Sequence, residues 1–225
     1  MARRSILIVA PHPDDETLGC GGVFAGRAAE GCDVAVLVVT DGRHLFRLSR
    51  WKIETDPTPD ETAAMRKDET RRAVDVLGGR SETIRFLDVE DGTLSRHAEA
   101  VSETMAEIID EVEPDEIYVT SEHEEHTDHV AACAVVRAAM AKTHSGATLH
   151  RYVIALADGV SPGSVDEPTV AVDIAAHMET KRRAVRRFAS HLTIVAQGQT
   201  EPFFPDADAW VGPTETFFAP PRRNL

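Results

Sequence analysis

The hydrophobic positions of this chain fall into two alternating patterns. Short apolar runs rich in branched residues predict strands that are buried on both faces, as in parallel sheets. These runs occupy residues 5–10, 34–39, 83–87, 116–120, 149–156 and 169–174. Longer segments with helical spacing lie at residues 17–30, 61–77, 94–112, 128–141 and 175–190. The alternation predicts an α/β fold with a Rossmann-like, open and mostly parallel sheet that carries helices on both faces.

The first forty residues form a strand–helix–strand pattern, which is typical of a right-handed parallel unit. Gly31 closes the helix, and Thr40-Asp41-Gly42 ends the second strand. Residues 44–60 are polar and contain proline, so they predict a long loop. From Glu201 onward the chain shows no clear period, and no element is predicted there.

Composition narrows the possible classes of protein. The chain has 225 residues, of which 42% are hydrophobic. A chain of this size buries roughly 70% of its unfolded surface, so residues 1–225 are expected to form a single domain. The net charge of −14 argues against a nucleic-acid partner, because duplex-binding proteins usually carry a basic face. No apolar run is long enough to span a bilayer.

The three cysteines, Cys20, Cys32 and Cys133, are widely spaced and form no CxxC pair. This spacing argues against a disulfide framework and against a zinc site built from thiolates. It indicates a reducing compartment, and we predict a cytoplasmic location.

Three loops are candidates for a ligand site, because ligands of open α/β sheets bind beyond the carboxyl ends of the strands. They are residues 11–16, 40–43 and 121–129. The first contains His12 and three acids in sequence, Asp14, Asp15 and Glu16. Helix capping accounts for one or two of these acids. It does not account for a histidine held between two prolines, so this loop favours a functional site.

The loop at residues 121–129 contains His123-Glu-Glu-His126-Thr-Asp-His129. The alternative is a solvated acidic loop with scattered histidines. However, His126 and His129 are three residues apart at the start of a predicted helix, so both can face one point. The two loops together offer the imidazoles and carboxylates that zinc binds while leaving one position open for water. They also supply a further acid to take a proton and a further imidazole to stabilise an oxyanion.

These motifs resemble those of the PIG-L/LmbE family of zinc-dependent de-N-acetylases. His12-Pro-Asp-Asp-Glu16 after a first strand and the distant His126-Thr-Asp-His129 carry most of the resemblance. Thr40-Asp41-Gly42, Arg66-Lys-Asp-Glu69, Lys181 and Ala184 are similar to further family features, so the resemblance covers most of residues 5–192. In many family members the late helix continues as His-x-Ser-Gln, whereas this chain has Phe188-Ala-Ser190-His191.

The resemblance implies a zinc-dependent hydrolase that removes the acetyl group from an N-acetylglucosamine-type sugar, with one zinc ion per chain. His12, Asp15 and His129 would bind the zinc. Asp14 would act as the general base, and His126 would polarise the amide oxygen. Either of these two residues could return the proton to the departing amine.

The resemblance also implies supporting and substrate-binding roles. Asp128 would orient a histidine of its own motif, and Arg66 and Asp41 would belong to the substrate side of the pocket. Trp51 could stack on a sugar ring, although an anchor for its loop is an equal alternative. A homo-oligomer is plausible by analogy with the family.

Three alternatives remain open at this point. His12-x-Asp14 with a distant His129 is also a two-histidine, one-carboxylate set that suits a non-haem Fe(II) enzyme. Gly19-Cys-Gly21-Gly22 after a strand resembles part of a dinucleotide-binding loop, but the adjacent acids would repel a pyrophosphate. A metal-binding module without catalysis would not need the additional acid and histidine.

Overall fold

The computed structural model describes residues 3–47, 52–53, 55–161 and 163–218. Within them, seven strands form one sheet in the order β3-β2-β1-β4-β5-β7-β6. The strands are β1 Ser5–Ala10, β2 Asp33–Thr40, β3 Arg85–Val89, β4 Glu116–Thr120, β5 Thr148–Tyr152, β6 Thr169–Asp173 and β7 Thr214–Phe218. The first five are parallel, and β7 pairs antiparallel with both β5 and β6. The predicted fold class is confirmed.

Helices cover both faces of this sheet. They are α1 Asp15–Leu18, α2 Gly21–Ala29, α3 Pro59–Leu77, α4 Ala98–Val112, α5 Thr127–Lys142, α6 Met178–Val185 and α7 Ala189–Leu192. Short 3₁₀ turns lie at Ser81–Thr83, Leu94–Arg96, Ala175–His177 and Ala207–Trp210. No helix in these described ranges is long and apolar enough to cross a bilayer.

The central strand β1 shows why the apolar runs lack polar alternation. Successive side chains of a strand point to opposite faces. Ile6 and Ile8 belong to the core that includes residues of α2 and α3, whereas Leu7 and Val9 belong to the core formed with α4 and α5. Because both faces are covered, each of these positions must be apolar.

The predicted helix at residues 17–30 is wrong in one respect, because it is broken into α1 and α2 at Gly19 and Cys20. A Cβ atom on Gly19 would lie 2.2 Å from a ring carbon of Tyr152, so the backbone approaches β5 too closely for a side chain. Glycine also has low helix propensity, which favours the interruption.

The C-terminal part of the chain departs most from the prediction. The helix expected at residues 175–190 is divided into a 3₁₀ turn, α6 and α7, because Phe188 leaves the helical conformation and packs into the core. The tail expected to be irregular supplies β7, which inserts between β5 and β6.

Candidate active site

The loop after β1 has a strained backbone at Asp14, where φ is 135° and ψ is −25°. Non-glycine residues rarely adopt positive φ, and such strain costs about 1–3 kcal/mol and clusters at functional sites. The buried Arg66 of α3 stabilises this loop by donating to the carbonyl oxygens of Pro13 at 2.8 Å and Gly42 at 3.0 Å. The loops after β1 and β2 are therefore tied together by one guanidinium group.

Three polar atoms from the two predicted motifs converge on one point. His12 Nδ1 lies 3.3 Å from Asp15 Oδ2 and 3.2 Å from His129 Nε2, and the last two atoms are 3.2 Å apart. Ligands about 2.0–2.1 Å from a tetrahedral zinc ion would be separated by about 3.3 Å. The three residues thus fit a zinc ion, and each side chain is less than 10% exposed.

The other ring nitrogen of His129 is held by a carboxylate. Its Nδ1 lies 3.2 Å from Glu124 Oε2. Glu124 also accepts hydrogen bonds from the backbone N–H groups of Ile154 and Ala155, so its orientation is fixed. Such a carboxylate orients a ligating histidine and leaves its far nitrogen free for a metal.

His12 has a similar environment on its outer side. Its Nε2 lies 3.2 Å from Asp91 Oδ1 and 3.4 Å from Asp128 Oδ2. Asp91 belongs to the loop after β3, which sequence reasoning had not selected. Two carboxylates therefore face the side of the ring opposite the proposed metal position.

Asp128 contacts His12 of the other motif with its side chain and His126 of its own motif with its backbone N–H. Its carboxylate accepts from the backbone N–H groups of Gly92 and Leu94 at 2.7 and 3.1 Å and faces His12 of the other motif. Because Asp128 lies in the first turn of α5, it reaches the adjacent turn at residues 92–94.

His126 stands at the start of α5, where its Nδ1 accepts a hydrogen bond from the backbone N–H of Asp128 at 3.2 Å. The ring proton is therefore on Nε2. Burial first, and then the positive charges of His12 and His129, lower the pKa of His126 to about 4. Near neutral pH, His126 is a neutral ring with a free N–H donor.

The carboxylate of Asp14 contacts one residue of α3 and one of α7. Its Oδ2 is 3.2 Å from an Arg66 nitrogen and 3.1 Å from His191 Nε2. Burial raises the pKa of Asp14 to about 7, and Arg66 opposes this shift. The carboxyl group can therefore exchange a proton near neutral pH.

A pocket of about 260 Å³ lies beside His12. His12, His44, Arg66, Asp91, His126 and Phe203 are among the residues that line it. Its volume is just below the roughly 300–1,000 Å³ that is usual for small-molecule sites. Phe203 comes from the aperiodic tail, so no sequence pattern pointed to it.

The predicted substrate contacts have different outcomes. Arg66 lines the pocket but is committed to Pro13, Gly42 and Asp14. Asp41 is 2% exposed and accepts from Arg43 and from the Asp91 N–H, so it lies beneath the pocket as support. Trp51 lies outside the described residues.

Other missed residues had weak but readable signals. Asp91 follows a strand in Glu90-Asp91-Gly92. Because ligands bind beyond the carboxyl ends of the strands, this position also indicates a site residue. Glu124 lies inside the second motif, but its contact with His129 depends on the path of the loop. His191 was singled out only as a departure from a family pattern.

Comparisons with known proteins show similarity to a family of deacetylases. The family model PIG-L, described as GlcNAc-PI de-N-acetylase, matches residues 7–140. A 1D-myo-inositol 2-acetamido-2-deoxy-alpha-D-glucopyranoside deacetylase from Mycobacteroides abscessus is 30% identical, over 89% of this chain and 86% of the relative. A diacetylchitobiose deacetylase from Thermococcus kodakarensis is 29% identical, over 83% of this chain and 70% of the relative.

Solved structures show the same fold. The conserved protein TT1542 from Thermus thermophilus has a TM-score of 0.71 and 24% identity, covering 99% of this chain and 97% of the other. GalB, the 4-carboxy-2-hydroxymuconate hydratase from Pseudomonas putida KT2440, has a TM-score of 0.62 and 20% identity, covering 83% of this chain and 79% of the other. Because one of these similar structures is named as a hydratase, the fold does not determine the function, which must be argued from the site.

Proposed function

This chain belongs to the PIG-L family, and from that membership we propose that it is a zinc-dependent hydrolase that removes the N-acetyl group from an N-acetylglucosamine-type sugar or glycoconjugate. The observation that carries the proposal is the triangle of His12 Nδ1, Asp15 Oδ2 and His129 Nε2, with sides of 3.2–3.3 Å. These three residues would hold one zinc ion. When bound, zinc lowers the pKa of a coordinated water to roughly 7 and polarises a carbonyl group.

In this proposal Asp14 is the general base. Its carboxylate takes a proton from the attacking water, and the oxygen attacks the acetyl carbon. The raised pKa of Asp14, caused first by burial, suits a group that both accepts and releases a proton near neutral pH. The strained backbone at Asp14 supports the role, since it presents the side chain into the site.

His126 stabilises the oxyanion that develops on the acetyl group. Its Nδ1 is occupied by a backbone N–H, so Nε2–H is available to donate. The lowered pKa of His126, to about 4, favours a neutral donor over a proton source. We therefore assign to Asp14 the return of the proton to the departing amine, a choice that the sequence alone left open.

The substrate class follows from the pocket and from the relatives. Asp91 and His44 offer polar atoms at the pocket, and Phe203 offers an apolar face of the kind on which a sugar ring packs. Two relatives are named for deacetylation of N-acetylated amino sugars. The proposed partner is a small N-acetylated sugar or glycoconjugate, without nucleic acid.

The Fe(II) alternative rested on His12, Asp14 and His129. In the structure, Asp15 Oδ2 lies beside both histidine nitrogens, which supports Asp15 as the acid that we propose for the metal. Asp14 Oδ2 instead faces Arg66 and His191. Zinc remains our proposal for the metal, and metal analysis together with an oxygen-uptake assay distinguishes it from an Fe(II) enzyme that uses the same cluster.

The location and assembly of the protein remain predictions. Cys20, Cys32 and Cys133 are all free thiols, which is consistent with the proposed cytoplasmic location. The homo-oligomer proposed from the family can be tested by light scattering of the purified protein.

The test compares metal content with acetate release from a panel of N-acetylated mono- and disaccharides. Asp14→Asn should retain about one zinc per chain but lower kcat by about 10²- to 10⁴-fold, the usual contribution of a general base. Asp110→Asn, at an exposed position of α4, is the matched control and should behave like the wild type. Full activity of Asp14→Asn would refute the assignment of the base.

A further inference from the structure

His191 replaces the glutamine expected at its position and lies directly against the proposed base. Its Nε2 is 3.1 Å from Asp14 Oδ2, and the side chain is only 5% exposed. It is a titratable ring inside the site that the proposed mechanism does not use.

The imidazole is the middle of a buried chain of hydrogen bonds. His191 Nδ1 lies 3.1 Å from Ser190 Oγ, and Ser190 Oγ donates to Glu69 Oε2 at 2.6 Å. The backbone N–H of Ser190 donates to the other oxygen of Glu69 at 2.8 Å. The chain therefore connects α3 through α7 to the loop after β1.

The donors in this chain determine which nitrogen of His191 carries the proton. Glu69 as a carboxylate can only accept, and it accepts twice from Ser190. Burial raises the pKa of Glu69, but both of these hydrogen bonds oppose that shift. Because the Ser190 hydroxyl proton points to Glu69, its oxygen accepts from His191 Nδ1–H. The lone pair of His191 Nε2 is then directed at Asp14.

The ring is also held in its neutral form. Burial and then the positive charge of Arg66 keep the pKa of His191 well below its usual range. A neutral ring with its proton on Nδ1 has one free function, which is to accept a hydrogen bond at Nε2.

We infer that His191 is a positioning residue for Asp14, whose Nε2 accepts a hydrogen bond from the carboxyl O–H formed when Asp14 takes a proton from water. This inference rests on the proposed function. In the step concerned, a water O–H bond breaks, the Asp14 O–H bond forms, and the electron pair left on the water oxygen makes the new bond to the acetyl carbon. The proton later passes to the departing nitrogen, which restores the carboxylate.

The same ring also packs against aromatic side chains, so packing and hydrogen bonding must be separated. Its centroid lies 5.1 Å from Phe204 in a stacked arrangement and 5.7 Å from Phe203. Substitution by phenylalanine keeps an aromatic ring in place while removing both nitrogens. Phe204→Leu removes the stacked ring and leaves the hydrogen-bond chain intact.

The kinetic test uses zinc-loaded protein. His191→Phe should lower kcat about 10- to 100-fold with KM and zinc content unchanged, the loss typical of a residue that supports a metal site from the second layer. Ser190→Ala should lower kcat in the same direction, because it frees the ring to change its tautomer. His191→Gln, which restores a polar group beside Asp14, should recover part of the lost kcat, and Phe204→Leu should keep the wild-type kcat. An unchanged kcat in His191→Phe would overturn the inference.

A spectroscopic readout separates this inference from the proposed function, because it needs no substrate. In ¹⁵N-labelled protein, the ring resonances of His191 are those that are missing from the spectrum of His191→Phe. They should show a neutral ring protonated at Nδ1. The chemical shift of His191 Nε2 should change in Asp14→Asn. A His191 ring protonated at Nε2 would refute the inference even if the protein is an active deacetylase. If no sugar is deacetylated, the proposed function fails. The tautomer of His191 still tests whether its Nε2 accepts a hydrogen bond from Asp14.

Discussion

A single carboxylate decides which nitrogen of His129 faces the proposed metal position. Both oxygens of Glu124 accept backbone N–H groups from the segment after β5, so the carboxylate has no freedom to rotate. Nδ1 of His129 donates to Glu124, which leaves the lone pair of Nε2 directed toward His12 and Asp15. Glu124 is therefore as important to ligand geometry as a direct ligand.

Glu124→Gln should lower zinc affinity by about 10- to 100-fold. A glutamine side chain has one acceptor oxygen, so its NH₂ group must face either a backbone N–H or the ring N–H of His129. A zinc titration with a competing chelator measures the change. The matched control is Glu125→Gln, at the exposed neighbouring position, which should bind zinc like the wild type. Equal affinities in both variants would show that Glu124 does not orient the ligand.

The residues found from sequence share one property. His12, Asp14, Asp15, His126 and His129 cluster in short segments that follow predicted strands, in numbers that packing and capping do not require. The remaining site residues occur singly, and their roles depend on tertiary contacts. Asp91, for example, follows a predicted strand, but its contact with His12 depends on the place of β3 beside β2.

Elements with strong local signals were predicted most accurately. Helix α3 begins with a Thr58–Glu61 capping box and Pro59 at its first turn, and it ends at Gly78 with φ of 90°. Each of these features is readable from sequence. By contrast, β7 was missed because it includes Glu215, a buried acid that accepts from Lys181 and two backbone N–H groups. Only the tertiary structure shows that this acid has partners.

The pairing of β4 with β5 carries a testable pH effect. His150 of β5 stacks on Tyr118 of β4, with ring centroids 4.7 Å apart. Burial lowers the pKa of His150, so the unfolded chain binds a proton there more readily than the folded chain. The free-energy cost of keeping His150 neutral in the folded state is absent above the unfolded pKa of about 6.5 and grows as pH falls below it.

The free energy of unfolding should therefore decrease less between pH 7.5 and pH 5.5 in His150→Phe than in the wild type. The substitution keeps the aromatic stack. Urea unfolding of the wild type and the variant at both pH values measures this difference. Identical pH dependence in the two proteins would show that the His150 ring does not oppose protonation in the folded state.

In the molecule as a whole, the sheet order brings distant segments together. His12 and His129 are 117 residues apart, but β1 and β4 are adjacent parallel strands and end at the same edge. The loops after β2 and β3 lie on the other side of β1. A bound cation would thus cross-link separate parts of the chain and stabilise the folded state over the unfolded one.

Zinc at about 100 times its Kd should stabilise the protein by about 2.7 kcal/mol, which corresponds to a Tm increase of about 5–10 °C. Removal of the metal by a chelator should reverse this increase. If residues 1–225 form one domain, as we propose, the protein should unfold in one transition under both conditions. Calorimetry measures both effects. His129→Ala should show no increase with zinc, and an increase equal to that of the wild type would place the metal elsewhere.

Anomalous diffraction at the zinc absorption edge tests the central claim most directly. The described residues contain other groups of potential ligands on which a metal could also settle, among them His12 with Asp91 and Asp128, and Glu122 with His123 and Glu167. Our account predicts one strong peak about 2.0–2.2 Å from His12 Nδ1, Asp15 Oδ2 and His129 Nε2. A peak at one of the other groups alone, or none between these three atoms in zinc-soaked crystals, would contradict it.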